Sequence, residues 1–415
     1  PESCLVGSEM CIRDRPEVDY NWMHMDGKAS GDGCEYLIIT PTGTDYVTWA
    51  NTIADFRNKQ GILTQVVTLD EVGGNSTYNI ESYINDAYNN WTIPPSAVLL
   101  LGDYGTNIES HVISPIYNSY CASDNLYADV NGDHLPEMAF ARITANNASQ
   151  LETMVTKFID YETNPPTNPD FYNNPITAIG WQTERWFQIC GETVGGYWKN
   201  ELNKEPVRIN DIYSGSPGGT WSTAQNTGTV VNYFGPNGLG YIPASPNTMG
   251  GWTGGNATQI NNTINNGSFI MLHRDHGNTT GWGEPAYGNS NINGLYNEDL
   301  IFVMSINCLT GKYNMSGECF AEKFHRHTSS GQNAGALGIT AASETSYSFV
   351  NDTYVWGFID NMWPNFMPLY GTEYPQNYAM PAFGNASGKF FLQQSNWPYN
   401  TSNKQVTYHL FHHHG

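Results

Sequence analysis

Short apolar runs alternate with amphipathic segments along most of this chain, and that alternation restricts it to one fold class. EYLIIT (35–40), ILTQVVTL (62–69) and SAVLLLGD (96–103) read as strands. Between them lie two helix patterns. One has Thr44 as an N-cap before Tyr46, Trp49, Ala50, Ile53 and Phe56; the other is Ile80, Tyr83, Ile84, Ala87 and Tyr88. Wholly apolar strands alternating with helices predict a parallel sheet covered on both faces. A helix over 149–162 closes this unit, and the Pro/Asn-rich stretch NPPTNPDFYNNP (164–175) predicts a boundary.

A second unit follows. ITAIGWQ (176–182), VRINDIY (207–213), SFIMLHRD (268–275), LIFVMSIN (300–307) and ALGITA (336–341) read as strands. GETVGGYWKNEL (191–202), residues 257–265 and CFAEKF (319–324) read as helices. Residues 214–256, rich in Gly, Asn, Ser and Pro, predict a long loop region. The expected fold is therefore α/β, with subdomains over 34–165 and 174–405, each a mostly parallel sheet flanked by helices. Residues 1–33 are set aside as a leader foreign to the fold. PESCLVGSEMCIRDR (1–15) lacks the apolar centre of a secretory signal, and the true N-terminus, with any signal or propeptide, is expected to be missing.

Charge excludes several function classes. Lys plus Arg number 17 against 39 Asp plus Glu, a formal net charge of −22. Such a surface repels phosphate backbones and anionic lipid, so nucleic-acid and membrane-surface partners are not expected. No apolar run reaches the roughly 18 residues a membrane helix needs. Of seven cysteines, Cys4 and Cys11 fall in the leader, leaving Cys34, Cys121, Cys190, Cys308 and Cys319. An odd number without a CxxC argues against a disulfide framework and a zinc knuckle, and leaves room for one functional thiol.

The chemistry concentrates where two strands end. SFIMLHRD runs into His276-Gly277, and LIFVMSIN runs into Cys308. Ligands of parallel α/β sheets bind beyond the carboxyl ends of strands. If the two strands are neighbours, imidazole and thiol meet at one edge as a Cys–His dyad. Backbone N–H groups of Gly277 and Cys308 would then face the same point and could hold an oxyanion. Taken singly, Cys308 reads as a buried small hydrophobe and His-Gly as a turn. His273 and His276 as a zinc pair lack an evident third ligand.

In DVNGDHLPE (129–137), Asp129, Asn131, Asp133 and Glu137 present oxygens at alternate positions around Gly132, which predicts a structural calcium loop. The competing reading is an Asn-Gly hairpin turn with solvated acids.

These segments together resemble the gingipain-type cysteine peptidases, relatives of the caspases. HGNTTGWG (276–283) resembles the family's histidine segment and NCLTGKY (307–313) its nucleophile segment. AVLLLGD, SDNLYAD and PEMAFAR precede them, and CFAEKF and GALGITAAS follow, in the family's order. The resemblance implies a caspase-like fold, peptide-bond hydrolysis through a thioester, secretion or cell-surface location, calcium, and protein or peptide substrates. It also implies a propeptide and an immunoglobulin-like domain outside this chain.

By the same resemblance His276 is the general base and acid, Cys308 the nucleophile and Glu184 the acid that orients the histidine. His273 is then not catalytic and is expected on the opposite face or as a support of the loop. Arg274 and Asp275 are expected to pair with each other or with the other subdomain. Thr193 and Val194 stand where Arg-directed gingipains carry an aspartate, and Trp282 and Tyr347 are assigned to the substrate-binding walls. A buried cation without a carboxylate is costly, so no strong preference for Arg or Lys is expected. Two rival readings stay open: a carbohydrate- or protein-binding module on a degenerate peptidase scaffold, using the Trp and Tyr of 214–256, and a cysteine transpeptidase.

Overall fold

The structure is a computed structural model that describes residues 33–370, 380–398 and 401–415. The expected leader, Gly33 apart, lies outside the described residues.

Four strands make the first half-sheet: β1 (Tyr36–Thr40), β2 (Thr64–Thr68), β3 (Ala97–Leu101) and β4 (Ala139–Ile143). They are parallel, in the order β2-β1-β3-β4. Side chains alternate sides along a strand, and the cores on the two faces follow that rule. Leu37, Ile39, Val98 and Leu100 pack under α2 (Thr77–Asn90), against Ile80, Ile84 and Ala87. Ile38, Leu99 and Leu101 pack on the other side under α1 (Thr44–Lys59) and α3 (Ala148–Thr163). Thr44 opens α1 but does not cap it; Gly43 occupies the cap position.

The second half-sheet holds β5 (Ile176–Gln182), β6 (Val207–Arg208), β7 (Asp211–Ser214), β8 (Ile270–Arg274), β9 (Ile301–Ile306) and β10 (Ala336–Ala342). These too are parallel, in the order β10-β9-β8-β5-β6, with β7 also pairing β5. The single strand expected over 207–213 is thus two short ones. One face packs against α5 (Phe320–Arg326) through Met271, Val303, Phe320 and Phe324. The other packs against α4 (Phe187–Asn200) and α6 (Val350–Met362) through Ile270, Leu272, Met304 and Ile306.

The chain's last strand, β11 (Phe411–His414), follows α7 (Pro381–Gln394) and α8 (Thr401–Leu410). It lies parallel to β4 and antiparallel to β10, so the two halves form one continuous sheet whose parallel sets run in opposite directions. The boundary expected at 405 therefore leaves out the strand that joins the halves. Further contacts tie them: Lys157 of α3 donates to the Ala334 and Ala336 carbonyls, and Arg326 of α5 to Asp103.

The junction is lined with buried histidines kept neutral by desolvation. Burial holds the His412 and His413 imidazoles down at about 4. His414 is fully buried with neither ring nitrogen hydrogen-bonded, and its pKa is driven well down by burial and by the neighbouring His412 and His413. Asp124 favours its charged form and Arg142 opposes it. An imidazole that must stay neutral when folded contributes full stability above its unfolded pKa of about 6.5 and progressively less below it. His414→Phe is therefore expected to gain on the wild type by up to about 1.4 kcal/mol per pH unit below 6.5. Urea unfolding of both proteins at pH 7.5, 6 and 5 reads this; a pH-independent difference would disprove it.

Residues 214–256 are not a solvated loop. A helix spans Thr227–Phe234, and Trp221, Val230, Phe234, Tyr241 and Trp252 are buried with Trp198 and Trp356 in the core over α4. Those aromatics are not on offer to a carbohydrate.

Candidate active site

The site is set by strand register. In the parallel pair β8–β9, Arg274 is level with Ile306. Two residues further along each strand's line lie His276 and Cys308. By the same alternation that buries Leu272 and Met304 under α4 and α6, Arg274, His276 and Cys308 share that face. His276 and Cys308 line one cavity of about 510 Å³ at the carboxyl edge of the half-sheet. Gly277 lets the two strand ends close up: a Cβ there would stand 2.5 Å from Asn307 Oδ1 and 2.9 Å from the Cys308 carbonyl oxygen.

Cys308 is half-buried, whereas Cys34, Cys121, Cys190 and Cys319 are buried, and all five thiols are free. Its sulfur accepts the Ser346 N–H at 3.3 Å and lies 3.6 Å from the Ser346 carbonyl oxygen. The next residue, Leu309, has φ +66°, a conformation costly for a bulky side chain and concentrated at functional turns. That turn brings the thiol out of the sheet and into the cavity wall.

His276 sits edge-on to Phe187 at 5.3 Å and against Tyr213 at 4.5 Å. Its Nε2 meets Gln182 Oε1 at 2.7 Å, and Gln182 Nε2 donates to Glu184 Oε1 at 2.6 Å. Only one proton arrangement satisfies this chain. A carboxylate can only accept, so the Gln182 NH₂ faces Glu184 and its carbonyl faces the imidazole. His276 Nε2 must then carry the proton, which leaves Nδ1 with the free lone pair. Glu184 is exposed and does not touch the imidazole; Gln182, the last residue of β5, stands between them. Burial lowers the His276 pKa, Arg274 and Arg185 lower it further, and Glu184 opposes them.

Arg274 forms the floor of the cavity and pairs with neither Asp275 nor the first half. Its Nε and Nη2 donate to the two Asp352 oxygens at 2.6 and 3.2 Å, and its guanidinium lies 4.1 Å over the Phe187 ring. Asp352 also accepts the Phe349 N–H at the start of α6. The Asp275 side chain faces the other side of the sheet, against Gly180 and Gly283, and accepts the Glu284 N–H at 2.6 Å. Burial pushes its carboxyl up to about 7.

The other assigned residues divide. Tyr347 lines the cavity, and its hydroxyl donates to that of Tyr120 from the first half. Thr193 and Val194 do not line it. Both are fully buried inside α4, where Thr193 Oγ1 accepts the Trp356 indole N–H, and the cavity is walled instead by Trp186 and Phe187. Helix α4 starts four residues earlier than its apolar pattern predicts, so Phe187, not the Thr-Val pair, points at the site. Trp282 is also placed elsewhere. It stacks on His273 at 4.1 Å across the opposite face and donates to Ser305 Oγ. His273 is on that face as expected, held by Asn307 Nδ2 at 2.9 Å, which leaves no histidine pair for a metal.

The loop around Gly132 uses its oxygens internally. Asp129 accepts the N–H groups of Gly132, Asp133 and His134; Asn131 accepts that of Asp133; Asp133 accepts that of Leu135; Glu137 accepts that of Val130. Among the described residues no three His, Cys, Asp or Glu side chains converge as metal ligands. These hydrogen bonds to backbone amides hold the loop's shape, and no step is assigned to a calcium ion.

Comparison with known proteins gives the family. The sequence profile of peptidase family C25 matches residues 29–409. Gingipain R2 of Porphyromonas gingivalis is 22% identical over 292 residues, 70% of this chain and 34% of the relative. Lys-gingipain of the same organism is 21% identical over 305 residues, 72% of this chain and 15% of the relative. The chain thus spans about a third or less of the curated relatives it matches. The crystal structure of the Arg-specific cysteine proteinase gingipain R superposes with TM-score 0.67 at 17% identity, covering 94% of this chain and 78% of that one. A complex of gingipain pro- and mature domains from P. gingivalis gives 0.65 at 16% identity, covering 92% and 78%. The fold is shared and the profile covers nearly the whole chain: this protein is a member of peptidase family C25.

Proposed function

We propose that this chain is a cysteine endopeptidase in which Cys308 and His276 carry the reaction. The observation that supports it most is the β8–β9 register, which brings the one half-exposed described thiol and a half-buried imidazole to one cavity. In this reading His276 Nδ1 takes the Cys308 proton as sulfur attacks the scissile carbonyl carbon. N–H groups of Gly277 and Cys308 hold the oxyanion. The imidazolium then protonates the leaving amine as the C–N bond breaks and a thioester forms. Water, deprotonated by His276, attacks the thioester, and the thiol regains its proton. Thiol and imidazole share the cavity without a direct hydrogen bond; such contacts commonly tighten only once substrate is bound. Gln182 and Glu184 act on His276 by position: they fix which nitrogen is the base.

The family's peptidase chemistry does not bring its arginine or lysine preference here. The cavity is lined by two arginines, Arg185 and Arg274, and by one carboxyl, Asp275, which faces away and is half neutral near pH 7. A substrate guanidinium or ammonium would meet like charge and no partner. No helix among the described residues is long and apolar enough to cross a membrane. Work outside the cell on protein substrates, with further domains beyond this chain, belongs to the same proposal. The test is a mixed peptide library digested by wild type beside Cys308→Ala. Cleavage by the first alone, chiefly at sites other than Arg and Lys, is expected; equal products from both would remove the dyad.

A further inference from the structure

The chain carries more than twice as many acidic as basic side chains, 39 against 17, so an arginine without a carboxylate is against the odds. Five of the six described arginines have one: Arg57 with Glu162, Arg142 with Asp124, Arg208 with Glu192, Arg274 with Asp352, and Arg326 with Asp103 and Glu322. Arg185 is the exception among the described residues. Its backbone is pinned on the turn after β5, its N–H bonding the Gln182 carbonyl and its own carbonyl accepting from Gln188. Its side chain lines the cavity that holds His276 and Cys308. Its Nε is buried and has no hydrogen-bond partner.

A buried donor without an acceptor costs free energy unless something else supplies the acceptor. Glu184, its chain neighbour, is exposed, turns its Oε1 to Gln182 and makes no ion pair with Arg185. Nothing across the cavity offers a free carboxylate, since Asp352 is taken by Arg274 and Asp275 faces the other side of the sheet. The unmet partner is therefore a group that enters the cavity. A guanidinium fork matches a carboxylate in shape as well as charge. The overall net charge of −22 does not oppose this at close range, because charges beyond about 8 Å are largely screened at physiological salt.

We propose that Arg185 is a carboxylate-binding residue of the substrate cleft, so that this enzyme selects polypeptides with an Asp or Glu side chain close to the scissile bond. The proposal rests on the peptidase reading for its substrate, and on the cavity alone for its carboxylate site.

Two measurements separate these. The first is kcat/KM for quenched peptides that differ only as Asp, Asn or Lys at each position flanking the cut, with wild type, Arg185→Met and Arg185→Glu. The wild type is expected to favour Asp over Asn by about tenfold or more at one position. Arg185→Met should level that ratio, and Arg185→Glu should turn it towards Lys. The second needs no turnover: alkylation of Cys308 by iodoacetate and by iodoacetamide, with Cys308→Ala as blank. In each case sulfur displaces iodide and the thiol proton is released. The iodoacetate-to-iodoacetamide rate ratio should fall severalfold in Arg185→Met, and be largely kept in Arg185→Lys. Changes in the Cys308 thiolate fraction affect both reagents alike and cancel in the ratio, and rates taken well above the His276 pKa, where the imidazole is neutral in every variant, remove its charge from the comparison. A falling ratio without peptide cleavage would keep the carboxylate site and end the peptidase reading. Peptide cleavage with an Asp-to-Asn preference and an alkylation ratio both indifferent to Arg185 would overturn the proposal and keep the peptidase.

Discussion

Replacing Gln182 by alanine is expected to lower kcat/KM for peptide hydrolysis about a hundredfold, mostly in kcat, because proton transfer by an unpositioned base loses much of its typical 10²–10⁴-fold contribution. The Gln182 carbonyl accepts from His276 Nε2 and its NH₂ donates to Glu184. Without it the imidazole can carry its proton on Nδ1, the nitrogen that receives the Cys308 proton in the proposed reaction. Glu184→Gln is expected to cost only a fewfold, since it removes the constraint on the amide's orientation and leaves the amide in place. A purely structural role for Gln182 would produce losses too, so the decisive variant is Gln182→Glu. It sets a carboxylate against the imidazole, which favours the imidazolium and raises the His276 pKa from its lowered value. A base must be neutral to act, so activity falls as pH drops through that pKa. The acidic limb of the kcat/KM profile should move up by about one pH unit in Gln182→Glu. An acidic limb that stays put, or moves down, would show that the resting pair is thiolate and imidazolium and that Nε2 is not where the protein controls it.

Asp352→Ala is expected to reduce unfolding free energy by about 3–5 kcal/mol, the range for breaking a buried ion pair by removing one partner. The side chains of Arg274 and Asp352 are 2% and 0% exposed, so the stranded guanidinium cannot turn to water. The same carboxylate accepts the Phe349 N–H, and Phe349 holds φ +73° at the cavity wall, so the start of α6 loosens as well. The double variant Asp352→Leu with Arg274→Met should recover most of the loss, because an apolar pair of similar volume carries no desolvation cost. Chemical denaturation of the three proteins gives the comparison. A single-variant loss below about 1 kcal/mol would mean that the pair is solvated and the cavity floor open.

Much of the fold was legible from residue pattern. The runs 97–101, 176–182 and 301–306 are apolar on both faces because both faces are covered, and their sequence says so. The ends of two runs, His276-Gly277 after 270–274 and Cys308 after 301–306, marked the candidate site for the same reason: an apolar strand that stops at a polar, reactive residue has reached the rim of its sheet. Other assignments failed where local pattern is silent about direction. Thr193 and Val194 were assigned by resemblance to the family's segment, but a helix turns a side chain about 100° per residue, and in α4 both face the core. Trp282 follows His276 in the chain yet lies on the opposite face, because the hairpin after Gly277 folds back over His273. Glu184 is two residues beyond Gln182, the side chain that touches the imidazole. The histidine run 412–414 carried no strand signal, since a strand of three histidines is stable only where neighbours on both sides complete its hydrogen bonds.

The sequence by itself determined the α/β class, the order of the strands along the chain and the two residues on which the proposed dyad rests. Only the tertiary structure decided that β8 and β9 are neighbours in register, that β11 closes two half-sheets into one, that Gln182 stands between Glu184 and the imidazole, and that Arg185 is left without a partner. The physical reason is the range of the forces involved. Burial and backbone propensity act on a few consecutive residues and leave a local pattern. Pairings across tens or hundreds of positions, such as Arg274 with Asp352, depend on which surfaces meet once the whole chain has collapsed.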